Sequence, residues 1–410
     1  MKPCRSFLLP ILLVAASGAS VGAQQPKQAL TLASALDLAE KQNLDLVAER
    51  AQRAVMLAGI VTAGERPNPT AFFGAARDTP HESLFFDAPV EIGPKRKDRI
   101  ELARQEHTMT EADISALERQ VRQSVRDAYF TLAHARGVTT QQTEAVSLAE
   151  RLGQIAKARY ETGDIPQLEV IQADLEDARA RAGLDVAQQE EKVALEDLNA
   201  LLDEPSDTDW DLGSAFETMP PTLPLDELLA RAANSNAQLE GLEQKEKVQQ
   251  RQTALLRAER IPNLGLEAGV DFNSPGPGGF REGARGQVSM ELPLFSRNQG
   301  EIAASQASQR ALESQVMAAH RAVDAQVMSA DHDLEAQRNK VETYRATIIP
   351  SAEHLETMAE ESYRAGAAPI LTVLTAQQAV QQVELEYLDS ALAMHRAFSR
   401  LELAVGAPLD

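Results

Sequence analysis

At 410 residues the chain could hold two or three conventional domains, but aromatics make up only 4% of it, too few for several ordinary globular cores. Alanine, glutamine, glutamate and leucine abound, which suits long helices packed closely through small side chains. The formal net charge of −21 argues against nucleic acid as a partner, because phosphate binding needs basic patches.

Residues 1–23 have the pattern of a signal peptide. Lys2 and Arg5 precede an apolar run from Phe7 to Ala16, and Val21-Gly22-Ala23 offers a small-residue cleavage site before Gln24. The run is too short to span a bilayer. Cys4, the only cysteine, lies before it and not after it, where a lipid-anchoring cysteine would be. An exported chain with no disulfide, thiolate metal site or cysteine nucleophile is expected.

The first half opens with a helix from Leu30 to about Arg66, closed by Pro67-Asn68-Pro69. Two strand-like runs follow, about 70–77 and 83–92, the second alternating Leu84, Phe86, Ala88, Val90 and Ile92 on one face. A long helix begins near Lys95 and runs to Tyr160, with Val125, Leu132, Val146, Gly153 and Tyr160 on one heptad position. Strict sevenfold spacing demands a left-handed supercoil, and roughly 66 residues at ~1.5 Å each give a rod of roughly 100 Å. Tyr160-Glu161-Thr162-Gly163, then Pro166, marks a tight turn into a returning helix that ends near Leu202. Glycine suits the positive φ beyond a helix end, and proline suits a helix start. An irregular acidic linker then carries the lone Trp210.

The second half repeats this order. A helix from Leu225 to Arg260 precedes strands at about 263–272 and 284–294, separated by a glycine-rich loop, 273–283. A long helix starts near Ser296, with Val327, Leu334, Val341, Ile348 and Leu355 at sevenfold spacing. Pro350 lies inside it, where proline costs about 3 kcal/mol and either kinks the rod or is tolerated at its surface. Tyr363-Arg364-Ala365-Gly366, then Pro369, opens the last helix, to about Val405. Tyr160 and Tyr363 are 203 positions apart, as are Gly163 and Gly366, and Pro166 and Pro369. A duplicated architecture is therefore expected, with repeats at 24–212 and 213–410 and tip turns at 160–166 and 363–369. In each half the two short helices together match the long one in length.

Four strands with one apolar face, each long enough to cross lipid when tilted, suit a membrane barrel. No open sheet edge survives in hydrocarbon, so the strands must close with those of other chains, giving eight strands from two chains or twelve from three. A soluble sandwich would need more strands or a covering layer.

The layout resembles the TolC-like outer-membrane efflux family over nearly the whole exported chain. Leu292-Pro293-Leu294-Phe295-Ser296-Arg297-Asn298-Gln299-Gly300-Glu301-Ile302 looks like the strand-to-helix junction of its CzcC-type, heavy-metal branch. Pro89-Val90-Glu91-Ile92-Gly93-Pro94-Lys95-Arg96 is similar, with Pro94 where relatives often carry a second glycine. The resemblance implies a mainly α fold with a small β part: a homotrimer whose twelve-stranded outer-membrane barrel continues into a twelve-helix periplasmic tunnel. It also implies contact with membrane lipid, a periplasmic adaptor and an inner-membrane RND pump. Tyr160, Gly163, Asp164, Pro166, Tyr363, Gly366 and Pro369 would form the tip that meets the adaptor. Gln154, Tyr363, Thr372 and Thr375 are candidates for the entrance constriction. The best-known member latches its entrance with an arginine at the position of Ala368 and an aspartate at that of Gln154, and has acidic rings at those of Thr372 and Thr375. This chain keeps only the tyrosine, so neither that latch nor those rings carry over.

No catalytic, cofactor or metal site is expected. The seven histidines are scattered, and Asp331-His332-Asp333 points its side chains in different directions along a helix. The carboxylates are spread along rods, with no pocket to shift their pKa. The expectation is a passive exit duct carrying divalent heavy-metal cations. Alternatives are a duct for a multidrug pump or a type I secretion system, and, in another class, a soluble periplasmic coiled-coil protein.

Overall fold

The computed structural model describes residues 28–78, 80, 82–276 and 279–409. The expected signal peptide with Cys4, and also His81 and Gly278, lie outside these residues. The chain is mainly helical. The long helix α3 (Lys95–Glu161) runs unbroken for 67 residues, and α4 (Gln167–Leu202) returns along it. The seam between them is built from small and branched side chains: Val125, Leu132 and Ala149 of α3 are buried, as are Ala187, Ala194 and Leu198 of α4. Alanine at the contact lets the two axes approach closely, as the composition requires.

Each short-helix segment is broken in two, where one continuous helix was expected. Asn43 separates α1 (Leu32–Gln42) from α2 (Leu44–Ala63), and Asn236 separates α5 (Leu225–Ser235) from α6 (Ala237–Ala258). Both asparagines leave the helical conformation, at ψ 122° and 125°. The physical reason is a double role. Asn43 Oδ1 accepts from the Asp45 and Leu46 N–H groups at 3.1 and 3.2 Å, while its Nδ2 donates to Leu201 O at 3.0 Å. Asn236 does the same with Gln238, Leu239 and Ala404 O. Each side chain caps one helix start and satisfies a carbonyl in the last turn of another helix.

The second long helix also departs from expectation. α7 (Gln299–Thr343) passes through a π-turn, Tyr344–Ile348, into α8 (Ile349–Arg364), and α9 (Ile370–Val405) returns. Ile349 N–H bonds back five residues to Tyr344 O, which accommodates Pro350, the residue with no N–H to give. The extra residue in the turn advances the seam. Val327, Leu334 and Val341 are buried, but beyond the turn the buried positions are Ala352, Ala359 and Tyr363, and Leu355 is 52% exposed. Glu356 is half-covered in its place.

Four strands form one antiparallel sheet in the order β2 (Thr70–Ala75), β3 (Glu82–Val90), β5 (Leu264–Gly276), β6 (Gly279–Met290). The second hairpin reaches into the stretch expected as a glycine-rich loop, where Asn273 pairs with Arg281 and Gly276 with Gly279 around a bulge. It ends at Met290, short of Leu294, where its partner strand begins at Leu264, just after Pro262. One face is apolar and exposed, carrying Phe73, Leu84, Phe86, Val270 and Val288. The opposite face carries Asp87, Glu267, Arg285 and Gln287 at paired positions. There Arg285 lies 3.0 Å from Glu267 and 5.4 Å from the Phe85 ring centre. Exposed apolar and inward polar is the reverse of a soluble sheet.

The linker is also more ordered than expected. β1 (Gln28–Ala29) pairs in parallel with β4 (Trp210–Asp211). Trp210 is buried, and its Nε1 donates to Asn199 Oδ1 at 2.6 Å. Arg136 of α3 bonds the Trp210 carbonyl and the Asp209 carboxylate, fastening this belt to the long helix.

Candidate functional site: the two tip turns and the mouth beside them

Both turn phrases lie at the end of the helices remote from the sheet. In the first, Gly163 takes φ +82° and donates to Tyr160 O at 3.0 Å, and Asp164 N–H reaches Arg159 O at 2.9 Å. In the second, Gly366 takes φ +70°, with Gly366 N–H to Tyr363 O at 3.0 Å and Ala367 N–H to Ser362 O at 2.9 Å. These paired bonds satisfy the last carbonyls of the long helices, which is why glycine occupies both positions. Pro166 and Pro369 sit just outside the returning helices, as N-caps with extended ψ of 154° and 160°, not inside their first turns.

One apolar cluster unites the tips: Leu152 and Ala156 of α3, Ile165 of the first turn, Tyr363 of α8, and Ile370 and Val373 of α9. The matched tyrosines therefore differ. Tyr160 is 46% exposed, whereas Tyr363 is 3% exposed beneath the Arg159 guanidinium, 5.0 Å from its ring centre. The Tyr363 hydroxyl has no hydrogen-bond partner among the described residues. Gly163, Asp164, Pro166, Gly366 and Pro369 are exposed, as are Gln154, Thr372 and Thr375. Thr375 Oγ1 donates to Leu371 O at 3.0 Å along its own helix.

Next to the tips lies a feature that sequence reasoning missed. A cleft of about 530 Å³ opens between α3 and α8, with α9 as its floor. It is lined by Glu144 of α3, by Glu353, Glu356, Glu360 and Glu361 of α8, and by Glu384 of α9. Arg151 and Arg364 are the only cations among the lining residues, and Arg364 is held by Glu360 at 2.8 Å. Burial, then the charges of Glu144, Glu353 and Glu356, push Glu384 up to about 7. Glu356 is raised as well, by burial first and then by Glu360. The expectation that no pocket shifts a carboxylate is thus overturned. The spacing 353, 356, 360 on one helix face was the available signal, but only packing of the two halves brings Glu144 and Glu384 to it.

Among the described residues no group of three or more His, Cys, Asp and Glu is arranged to hold a metal ion. Asp333 pairs with Arg400 at 2.5 Å. His395, the one deeply buried histidine among the described residues, stacks 3.6 Å from Phe130, and burial with the Arg126 charge lowers its pKa to about 3.

A two-fold helical rod, a sheet inverted for lipid and two tips at the far end define an envelope-spanning protein. The chain matches the outer membrane efflux protein family over residues 35–204 and 228–407 and belongs to it. It is 25% identical over 409 residues to the cobalt-zinc-cadmium resistance protein CzcC of Cupriavidus metallidurans, covering 98% of this chain and 97% of that one. Its fold is similar to the outer membrane protein VceC of Vibrio cholerae, with a TM-score of 0.72 at 16% identity, covering 92% of this chain and 97% of that chain. The similarity to CusC gives a TM-score of 0.73 at 16% identity, with 92% of each chain covered. The protein is an outer-membrane channel component of an efflux system and extends into the periplasm. Its family is one of channels, not of enzymes.

Proposed function

We propose that this channel is the passive exit duct for divalent heavy-metal cations expelled by an inner-membrane RND pump through a periplasmic adaptor. The observation that carries the cargo is the end-to-end similarity to a protein named for cobalt, zinc and cadmium resistance. The duct itself performs no chemistry; energy and selectivity reside in the pump.

The working form is a homotrimer. Among the described residues the sheet ends at the edges of β2 and β6, which closure with two further copies would convert into a twelve-stranded barrel. The helices offer matching flanks. Along α4, Leu168, Ile171, Leu175, Val186 and Val193 form an exposed stripe at helical spacing. On the other side of the chain Met317 and Met328 of α7 and Leu355 and Met358 of α8 are exposed. Head-to-tail contact between these flanks closes a ring around a tunnel.

The adaptor meets the tips at Tyr160, Gly163, Asp164, Pro166, Gly366 and Pro369, with Tyr363 forming the packed layer beneath them. Gln154, Thr372 and Thr375 stand at the entrance. Deleting the gene and measuring growth on graded zinc, cobalt and cadmium tests the cargo. Sensitivity restored by the wild-type gene is expected; unchanged tolerance to all three metals would remove the metal reading.

A further inference from the structure

The acidic cleft has the construction of a moving part. Its walls belong to the two halves of the repeat: α3 to the first and α8 to the second. α9 packs against both walls, and the cleft separates them. α8 is a distinct segment, hinged from α7 by the π-turn Tyr344–Ile348. That hinge is fastened above the cleft, where Tyr344 Oη donates to Glu386 of α9 at 2.7 Å. The same turn advances the seam, so Glu356 takes the inward place that an unbroken heptad would give Leu355. The floor is loosely satisfied: Gln377 Oε1 has no hydrogen-bond partner among the described residues. Among the described residues no hydrogen bond or ion pair neutralises Glu384 either, and the charges that raise its pKa are those of Glu144, Glu353 and Glu356.

We propose that this cleft is a pH-sensitive hinge of the periplasmic mouth: with its carboxylates ionised, α8 is pushed away from α3, and on protonation it closes. The inference goes beyond the cargo reading and holds for any cargo. Six carboxylates face two guanidinium groups in the cleft. Glu144 and Arg151 face it from α3, Glu353, Glu356, Glu360, Glu361 and Arg364 from α8, and Glu384 from α9. Since Arg364 is held by Glu360, Arg151 alone is left to offset the rest. Like charges converging in a half-buried space favour either proton uptake or separation.

The sign follows from the raised pKa. The arrangement described, with Glu384 half-buried, is taken as the closed form: there Glu384 titrates near 7, whereas a wider, solvated cleft returns it to its ordinary 4.5. The closed form therefore binds the extra proton, is fully favoured below pH 4.5, and loses that advantage as pH rises through about 7. Between pH 8 and pH 6 the ratio of closed to open cleft rises roughly tenfold per chain.

The test is a distance measurement on the purified full chain in detergent. Spin labels at Thr143→Cys of α3 and His354→Cys of α8, both exposed sites, are introduced with Cys4→Ser, and pulsed electron resonance is recorded from pH 5.5 to 8. The α3–α8 distance is expected to lengthen as pH rises, with Glu384→Gln held at the short distance throughout. Glu144→Gln, an exposed change that spares the packing, is expected to lower the midpoint and keeps the test decisive if Glu384→Gln fails to fold. A distance independent of pH, or a shift that persists unaltered in both variants, would overturn the proposal. Neither readout depends on metal transport.

Discussion

Gly163 and Gly406 both take positive φ, +82° and +80°, yet they carry different loads. A Cβ on Gly163 meets nothing within 4 Å, so Gly163→Ala should cost only the backbone strain, about 1 kcal/mol. A Cβ on Gly406 would lie 2.1 Å from Ser235 O, at the junction that Asn236 caps. Gly406→Ala is therefore expected to lower the melting temperature in detergent well beyond Gly163→Ala; equal shifts would show that this junction is not tightly packed. His395 gives a second residue-level expectation. Its pKa is lowered from 6.5 to about 3, so the neutral ring contributes stability above pH 6.5 that is lost as pH falls toward 3. Each unit in that window costs about 1.4 kcal/mol. His395→Phe should flatten the fall in melting temperature between pH 7 and pH 5, and an unchanged slope would place the acid sensitivity elsewhere.

Among the elements, the sheet carries the sharpest contrast. Val288 and Gln287 are neighbours on β6, but Val288 is on the exposed apolar face and Gln287 pairs with Glu267 on the polar one. Val288→Arg puts a charge toward lipid, at a cost of roughly 2–4 kcal/mol near the bilayer midplane. It should reduce recovery from the outer-membrane fraction, while Gln287→Arg should leave recovery near wild type. Equal recovery of the two variants would contradict the lipid-facing assignment. These faces were legible in the sequence because period-two alternation is a local property. So were the tip turns, since a positive-φ glycine and a following proline leave a written trace. The helix breaks at Asn43 and Asn236 were not. One polar residue in an apolar pattern passes for a surface position until its partners, Leu201 and Ala404, are packed beside it. The π-turn was half legible: Pro350 flagged the place, but the shift of the seam to Ala352 and Ala359 depends on how the backbone absorbs the missing donor. The acidic cleft was hidden for a different reason, since Glu144 and Glu384 meet only when the two halves fold together.

For the molecule as a whole, the proposed homotrimer would depend on the exposed flank of α4. Leu175 and Val186 are exposed in the single chain and lie on one stripe. Replacing both with glutamate should leave the helical content of the chain unchanged while shifting its mass in detergent from three copies to one. A trimer that survives the double change would move the interface elsewhere. The family model matches the chain twice, over residues 35–204 and 228–407, and in the proposed assembly two like halves would share one ring.

The free edges of β2 and β6 have a kinetic consequence. A single sheet in lipid would expose two rows of unpaired backbone groups, and in water it would expose an apolar face with adhesive edges. Partly built species are therefore poor in either phase, and insertion should be cooperative in chain number, with its rate rising steeply with concentration. For the proposed homotrimer, the export pathway would have to deliver several copies to one place within the lifetime of an incomplete sheet, or shield each copy until the others arrive.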